Sequence, residues 1–541
     1  MATQVELQPT PSRLSSGNDI NEKDEKRRSD SFFHEDAVRE SAGVDVAVAL
    51  LAGAHADDAP LTPEEAMAIR KKLDRHLLPL FFLIYCLQFM DKSVLTQASI
   101  LGIIQDNHLT TDDWNNLGSA FYIGFIIFEY PHNWMLQRFP VAKYLSATII
   151  LWALFVGLNC AATNYGGLFA LRLLLGGMEG SIMSGLMLVT QMFYTRIEIV
   201  ERVGWTLCCN GFAQIITGFL GFGVYHINPN ATPNQWQWIM IITAILTFIC
   251  GIMFYLWFPD NPTTAWFLSE EEKVMAVKRV QGNQNGIETK TWKRYQFIEA
   301  LTDLKTWMFF LFAVFFDLQN GVSIQFGLII KSYGFSTLQT TLLNIPSGIA
   351  LIIGILFWGA VIRHFPNSRG YLAALSFIPN ILSCLLSICL PFHNRAGLLA
   401  AVYMLSLGGV PGFVISIAWV SSTNSGHTKR MTVNGIFLIG YALGQMLSTQ
   451  FWKDKYKPTN HVPFAIQLGT YAVDIALLIG IREMLKRENR RRDAALAANG
   501  GVDDPWGYIE RVVDGRTVQL KVEKSLLDLT DKENQSFRYV L

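Results

Sequence analysis

The sequence predicts an all-α membrane protein with twelve transmembrane helices in two six-helix, pseudo-symmetric bundles. Three observations carry this. Of 541 residues, 51% are hydrophobic and only 16% are charged, the balance of a polytopic membrane protein. About twelve apolar stretches recur along the chain, each near the ~20 residues needed to cross the hydrocarbon. Two short patterns also repeat at a common offset between equivalent stretches, as a duplicated six-span unit would require.

Residues 1–75 are polar and lack sustained periodicity, which predicts a disordered tail. Within it, Arg27-Arg28-Ser29-Asp30-Ser31 reads either as a basophilic kinase site or as a solvated charge run. No apolar h-region opens the chain, so the first span is expected to serve as the insertion signal. Spans 1–6 fall near 77–98, 116–136, 144–163, 166–190, 203–225 and 237–258, forming an N-terminal bundle over 76–258. A linker follows at 259–305. Spans 7–12 fall near 306–329, 338–362, 370–391, 396–420, 432–452 and 462–485, forming a second bundle over 306–485 before a tail at 486–541.

Basic residues set the orientation. Arg70, Lys71, Lys72, Arg75, Arg138, Lys143, Arg196, Arg202, Arg363, Arg369, Lys429, Arg430 and the 486–492 cluster share one side. The loops after spans 1, 3 and 5 contain no Lys or Arg, so both termini are expected in the cytoplasm. Lys453, Lys455 and Lys457 run against the trend. The sequon at Asn230 lies in a short outward loop with Pro233 close behind, and is expected to be unused. The repeats are Arg138-Phe139-Pro140 with Lys143-Tyr144, echoed by Arg363-His364-Phe365-Pro366 with Arg369 and Tyr371, and Arg202 with Asn210-Gly211, echoed by Arg430 with Asn434-Gly435. Both have an offset of about 225 residues.

Charges inside the spans need a reason, because each costs about 2.5–3.5 kcal/mol at mid-bilayer even on the lenient scale. Arg172 and Glu179 stand seven residues apart on span 4 and so share a face. Gly176, Gly177, Gly180 and Gly185 leave room beside them for a close neighbour. Asp91 on span 1 lies at the depth of Arg172, which predicts an ion pair between them, either a coupling element or a structural clamp. Glu179 has no basic neighbour in sequence. Burial disfavours its charged form, which makes it the candidate proton carrier. Lys92 points about 100° from Asp91 and can face a central cavity as the contact for a substrate carboxylate; snorkelling to the interface is the alternative.

Tyr122, Asn210, Gln214, Asn434, Tyr441 and Gln445 are polar groups able either to line that cavity or to bond between helices. Asp317-Leu318-Gln319-Asn320-Gly321 reads as a weakened stretch of span 7, placing Gln319 and Asn320 among the substrate contacts. Gly408-Gly409-Val410-Pro411-Gly412 suggests a hinge in span 10, while Glu129 and Asp474 read as lateral or interfacial structural residues. The seven cysteines lie in apolar segments without disulfide or metal spacing, and no His pair sits at helical spacing. No metal site, catalytic constellation or ATP-binding loop is expected, and no cofactor beyond a coupling proton.

The motifs resemble the anion:cation symporter family of the major facilitator superfamily, in its fungal allantoate permease branch. They are Met90-Asp91-Lys92-Ser93, Pro131 through Tyr144, Arg172…Gly176…Glu179, Pro259-Asp260-Asn261-Pro262, Asn320-Gly321, Phe326-Gly327, Tyr333-Gly334-Phe335, Pro346 and Thr530-Asp531-Lys532-Glu533-Asn534. Asn133, Gln137 and Pro140 stand where the general facilitator loop has Gly, Asp and Gly, and Lys92 where many relatives have Arg. The resemblance implies the major facilitator fold and places Asp91 with Arg172 in proton coupling.

The expected function is proton-coupled uptake of a small organic anion or vitamin-like carboxylate by alternating access. Efflux of an acidic metabolite, or nutrient sensing with little transport, are the competing readings. Expected partners are that anion and the lipid bilayer, with no nucleic acid. A monomer in the plasma membrane is expected, since no retention signal closes the chain.

Overall fold

Capping signals and prolines in the sequence mark where the helices begin and break. Thr62 and Glu65 form a reciprocal cap ahead of span 1, as Thr110 and Asp113 do for span 2. The computed structural model describes residues 62–228, 232–281, 293–365, 368–498, 506–513, 516–523, 529–534 and 537–541; a few side chains, among them Asn133, Gln137, Arg363 and His427, fall outside the description. The Arg27–Ser31 run and Asn230 lie outside the described residues.

Spans 1–6 are the helices Pro63–Leu101, Thr111–Arg138, Val141–Leu158, Tyr165–Phe193, Arg196–Tyr225 and Gln235–Trp257. Span 7 is split into Leu304–Leu318 and Gly321–Ser332, span 8 into Thr337–Leu343 and Ile345–His364, and span 9 into Arg369–Ser376 and Ile378–Cys389. Pro346 and Pro379 supply two of these breaks, since neither can donate the next helical hydrogen bond. Spans 10–12 are Arg395–Ser422, His427–Ser448 and His461–Ala498. Among the described residues, eleven helical segments are long and apolar enough to cross a membrane. The remaining span, Thr111–Arg138, is 28 residues long but carries Asp112, Asp113, Glu129 and Arg138.

Each half has its own apolar core. Leu77, Ile84, Trp152, Ile182 and Phe254 fill the first; Phe309, Phe312, Phe377, Trp419 and Phe464 fill the second. Spans 2 and 4 cross at backbone contact: a Cβ on Gly176 would sit 1.9 Å from the Phe121 carbonyl oxygen, and one on Gly124 equally close to that of Leu173. Glycines do not break span 10. The helix runs through Pro411, and Gly408 lets it approach the Ser376 carbonyl and Asn380 of span 9.

Hydrogen bonds between the halves gather on the face opposite the termini. There Asn115 donates to the Trp452 carbonyl at 2.7 Å, Ser119 to that of Met446 at 2.7 Å, and Thr96 to that of Ser323 at 2.9 Å. The described ion pairs of the terminal face stay within one half or tie the linker to it, as Arg202–Asp74 at 2.6 Å, Lys72–Glu272 at 2.6 Å and Arg279–Glu198 do. Two of the three lysines that broke the charge trend face acids, Lys457 with Asp454 at 2.7 Å and Lys453 with Asp112 at 3.8 Å.

The segment beyond span 12 contains the only described strands, Trp506–Val513 and Arg516–Glu523, in an antiparallel hairpin. The chain then returns to the second half. Asp531, fully buried, bridges Lys429 at 2.7 Å and Lys305 at 2.9 Å, and accepts from the Tyr539 hydroxyl at 2.6 Å. Trp419 donates to the Val540 carbonyl at 2.7 Å.

Two predictions follow the packing. Burial alone would raise the Asp531 carboxyl, but the Lys305 and Lys429 ammonium groups outweigh it and hold the group far below the usual range. Stability from a depressed carboxylate is complete above its unfolded value of about 3.9, and is lost only as pH falls through the folded value. Asp531→Asn should therefore lower the unfolding temperature of purified protein throughout pH 5–8, by the equivalent of about 3–5 kcal/mol. The wild-type protein should show no acid-side loss from this cluster in that window. Gly176→Ala should prevent the close crossing of spans 2 and 4 and be recovered as aggregated protein on size-exclusion chromatography, whereas Gly204→Ala, with nothing within 4 Å of the added carbon, should elute like the wild type.

Candidate substrate and coupling site

Neighbouring positions on span 1 face different ways. Asp91 turns into the first bundle and is 1% exposed, beside Trp152 and within electrostatic reach of Arg172. Lys92 turns toward the junction between the halves, with a third of its side chain open. Its Nζ lies 3.2 Å from Oε1 of Glu179 on span 4, which is 1% exposed. The Phe89 and Phe121 rings flank the ammonium at 5.8 and 5.6 Å. Tyr122 of span 2 and Tyr441 of span 11 complete its electrostatic surroundings.

This corrects the expected pairing. Asp91 and Arg172 do not form an ion pair within 4 Å; neither Asp91 oxygen has a hydrogen-bond partner, and the two groups interact only at longer range. The direct contact belongs to Lys92 and Glu179 instead. Matching depth places residues on one level of the membrane, but helix rotation decides which of them touch, and depth carries no information about rotation. Gln88, one turn before Lys92, also lies beside Glu179, although no charge marks it in the sequence.

The second half contributes polar groups held by the break in span 7. Asp317 Oδ1 accepts from Asn320 at 2.9 Å and from Gln445 of span 11 at 2.8 Å. Gln319 donates to Asp474 of span 12 at 2.7 Å, and its own carbonyl accepts from Gln467 at 3.0 Å. Its side chain thus serves the interior of the second bundle. Asp474 is likewise not lateral or interfacial: it is fully buried among these amides. Gln214 of span 5 accepts from Ser347 of span 8 at 2.9 Å, where Gly211 and Gly348 bring the two halves into backbone contact. Asn210 and Asn434 are half-buried and lie on spans 5 and 11. Glu129 accepts from Ser184 at 2.7 Å, a structural bond between spans 2 and 4.

Chemically, the described residues here comprise the Lys92 cation facing Glu179, two tyrosines, and the Asp317 carboxyl held by amides. Among the described residues no group of His, Cys, Asp and Glu could hold a metal ion.

Comparison with known proteins agrees with this architecture. The sequence model of the Major Facilitator Superfamily matches residues 81–449. An uncharacterized transporter of Schizosaccharomyces pombe is 33% identical over 497 residues, covering 89% of this chain and 85% of its own. The allantoate permease of Saccharomyces cerevisiae is 31% identical over 497 residues, covering 90% and 88%. The high affinity cysteine transporter of the same yeast is 30% identical over 513 residues, covering 92% and 95%. Among solved structures, the partially occluded inward-open xylose transporter XylE from E. coli superposes with a TM-score of 0.56 over 75% of this chain and 98% of its own, at 12% identity, a likeness of fold alone. The chain is a multi-pass membrane transporter and belongs to the Major Facilitator Superfamily, alongside fungal relatives such as the allantoate permease.

Proposed function

We propose that this transporter couples proton entry to uptake of a small organic anion by alternating access, with Lys92 as the carboxylate contact and Glu179 as the proton site. The observation that carries the reading is the 3.2 Å Lys92–Glu179 pair at the junction of the halves. Relatives named for allantoate and cysteine transport support a small carboxylate as cargo.

Charge bookkeeping explains why such a pair would couple the two solutes. In the empty carrier Lys92 and Glu179 cancel. An anion alone would leave one uncompensated negative charge in the site, and a proton alone would leave one positive charge. Either costs several kcal/mol in a low-dielectric interior, so a half-loaded carrier is held back. Proton and anion together restore neutrality: the protonated Glu179 releases Lys92, and the substrate carboxylate takes its place. Asp91 and Arg172 lie behind the pair and interact with each other at longer range.

The basic residues of the terminal face support cytoplasmic termini, and on that reading the described contacts close the outer face. The protein would act as a monomer in the plasma membrane, each half bearing part of one site.

In proteoliposomes, Glu179→Gln should abolish accumulation driven by a pH gradient while leaving downhill exchange of the anion. Lys92→Ala should lose both, with uptake down at least about tenfold. Accumulation by Glu179→Gln equal to the wild type would remove the coupling assignment.

One proton with one monovalent anion moves no net charge. Accumulation should then rise about tenfold per unit of pH gradient, worth about 1.4 kcal/mol, and be unchanged by a valinomycin-imposed potential. A voltage-dependent ratio would require a second charge, worth about 2.3 kcal/mol per 100 mV.

A further inference from the structure

The contacts that join the halves on the face opposite the termini converge on one side chain. Asn115, in the second turn of span 2, is 1% exposed, and both ends of its amide are spent on the other half. Nδ2 donates to the Trp452 carbonyl at 2.7 Å, and Oδ1 accepts from Gln325 in the second segment of span 7 at 2.8 Å. The Asn115 backbone carbonyl accepts from the Thr449 hydroxyl at 3.0 Å. One turn deeper, Ser119 donates to the Met446 carbonyl at 2.7 Å, and its hydroxyl lies 3.2 Å from that of Thr449. Gly118 permits this approach, since a Cβ there would sit 2.8 Å from Cδ1 of Ile324.

The partners in these bonds are all neutral. Charged groups stand at the rim, where Asp454 accepts from Thr111 at 2.6 Å and Lys453 faces Asp112 at 3.8 Å. The Lys92–Glu179 and Lys429–Asp531 pairs each lie inside one half instead. The division has a physical reason. Parting a buried ion pair strands two charges, whereas a neutral amide exchanges its partners for water at small net change. Neutral bonds suit a contact that is made and unmade in every cycle; charged ones suit a contact that stays made.

We propose that Asn115 is the latch of the outer gate: its amide holds the outer face shut in this conformation and sets how readily that face opens. The inference rests on the alternating-access part of the reading above and adds to it a residue that neither the proton nor the anion touches.

The test uses full-length protein in proteoliposomes and needs no substrate. Ser119→Cys with Thr449→Cys puts two thiols where the facing hydroxyls stand, and copper phenanthroline should join them, as the closed outer face requires. In the Ser119→Cys single variant, labelling at position 119 by a membrane-impermeant maleimide, read by mass spectrometry, reports the opened fraction. Adding Asn115→Leu removes both amide bonds and should raise that labelling about tenfold. Gln325→Leu removes one of them and should raise it about threefold. Asn116→Leu, which loses only a 3.3 Å contact with Gln450 at the rim, should stay within about twofold of the parent. Labelling unchanged by both Asn115→Leu and Gln325→Leu would overturn the proposal, as would an equal rise in Asn116→Leu. Failure of the paired thiols to join would overturn it too, by showing that the outer face is not closed. If Asn115→Leu does not fold, the comparison of Gln325→Leu with Asn116→Leu decides. The proton and anion assignments are read from transport, so they stand or fall separately.

Discussion

The ion pair between Lys92 and Glu179 is the constraint around which the membrane domain is arranged. A lysine in the middle of span 1 cannot stand alone in hydrocarbon, and neither can a carboxylate on span 4. Each makes the other tolerable, and their contact fixes the rotation of both helices. Span 4 reaches that position because Gly176 and Gly124 let it lie against the backbone of span 2. A bulkier residue at either place would push span 4 outward and break the pair. The packing of small residues and the electrostatics of the site are thus one requirement rather than two.

The same logic of compensated charge recurs at the terminal face in both halves. Arg202 and Asp74 join the start of span 5 to span 1, and Lys429 with Asp303 joins span 11 to span 7. Lys429 also meets Glu299 at 2.8 Å, and Asp531 adds a third acid from the far end of the chain. What looked in sequence like a polar tail is therefore partly an element of the second half. Its role is set by two buried ammonium groups that the membrane spans alone do not balance.

The two halves are unequal in chemistry although similar in plan. The first carries Lys92 with Glu179 beside it, and Asp91 and Arg172, which interact only at longer range. The second carries Asp317, Asp474 and the amides that hold them, organised by a broken span 7. Inequality of this kind suits the alternating access proposed above, in which the two halves move around one solute.

The sequence by itself determined the helical membrane fold, the approximate course of the spans and that Asp91, Arg172 and Glu179 would be buried, because hydropathy, capping and helix breaks are local properties; it did not show that the first helix starts at Pro63, inside the expected tail, or that Asp474 is buried. Span 7 breaks at Gln319 and Asn320, where the residues themselves disfavour a continuous helix. Only the tertiary structure decided the partners. Lys92 rather than Arg172 has the direct acidic contact, Gln319 is turned to Asp474, and Asp531 closes a cluster far away in sequence. The physical reason is that an ion pair depends on how a helix is rotated and how closely its neighbour approaches. Those are set by packing summed over a whole bundle, and no single stretch of residues contains them.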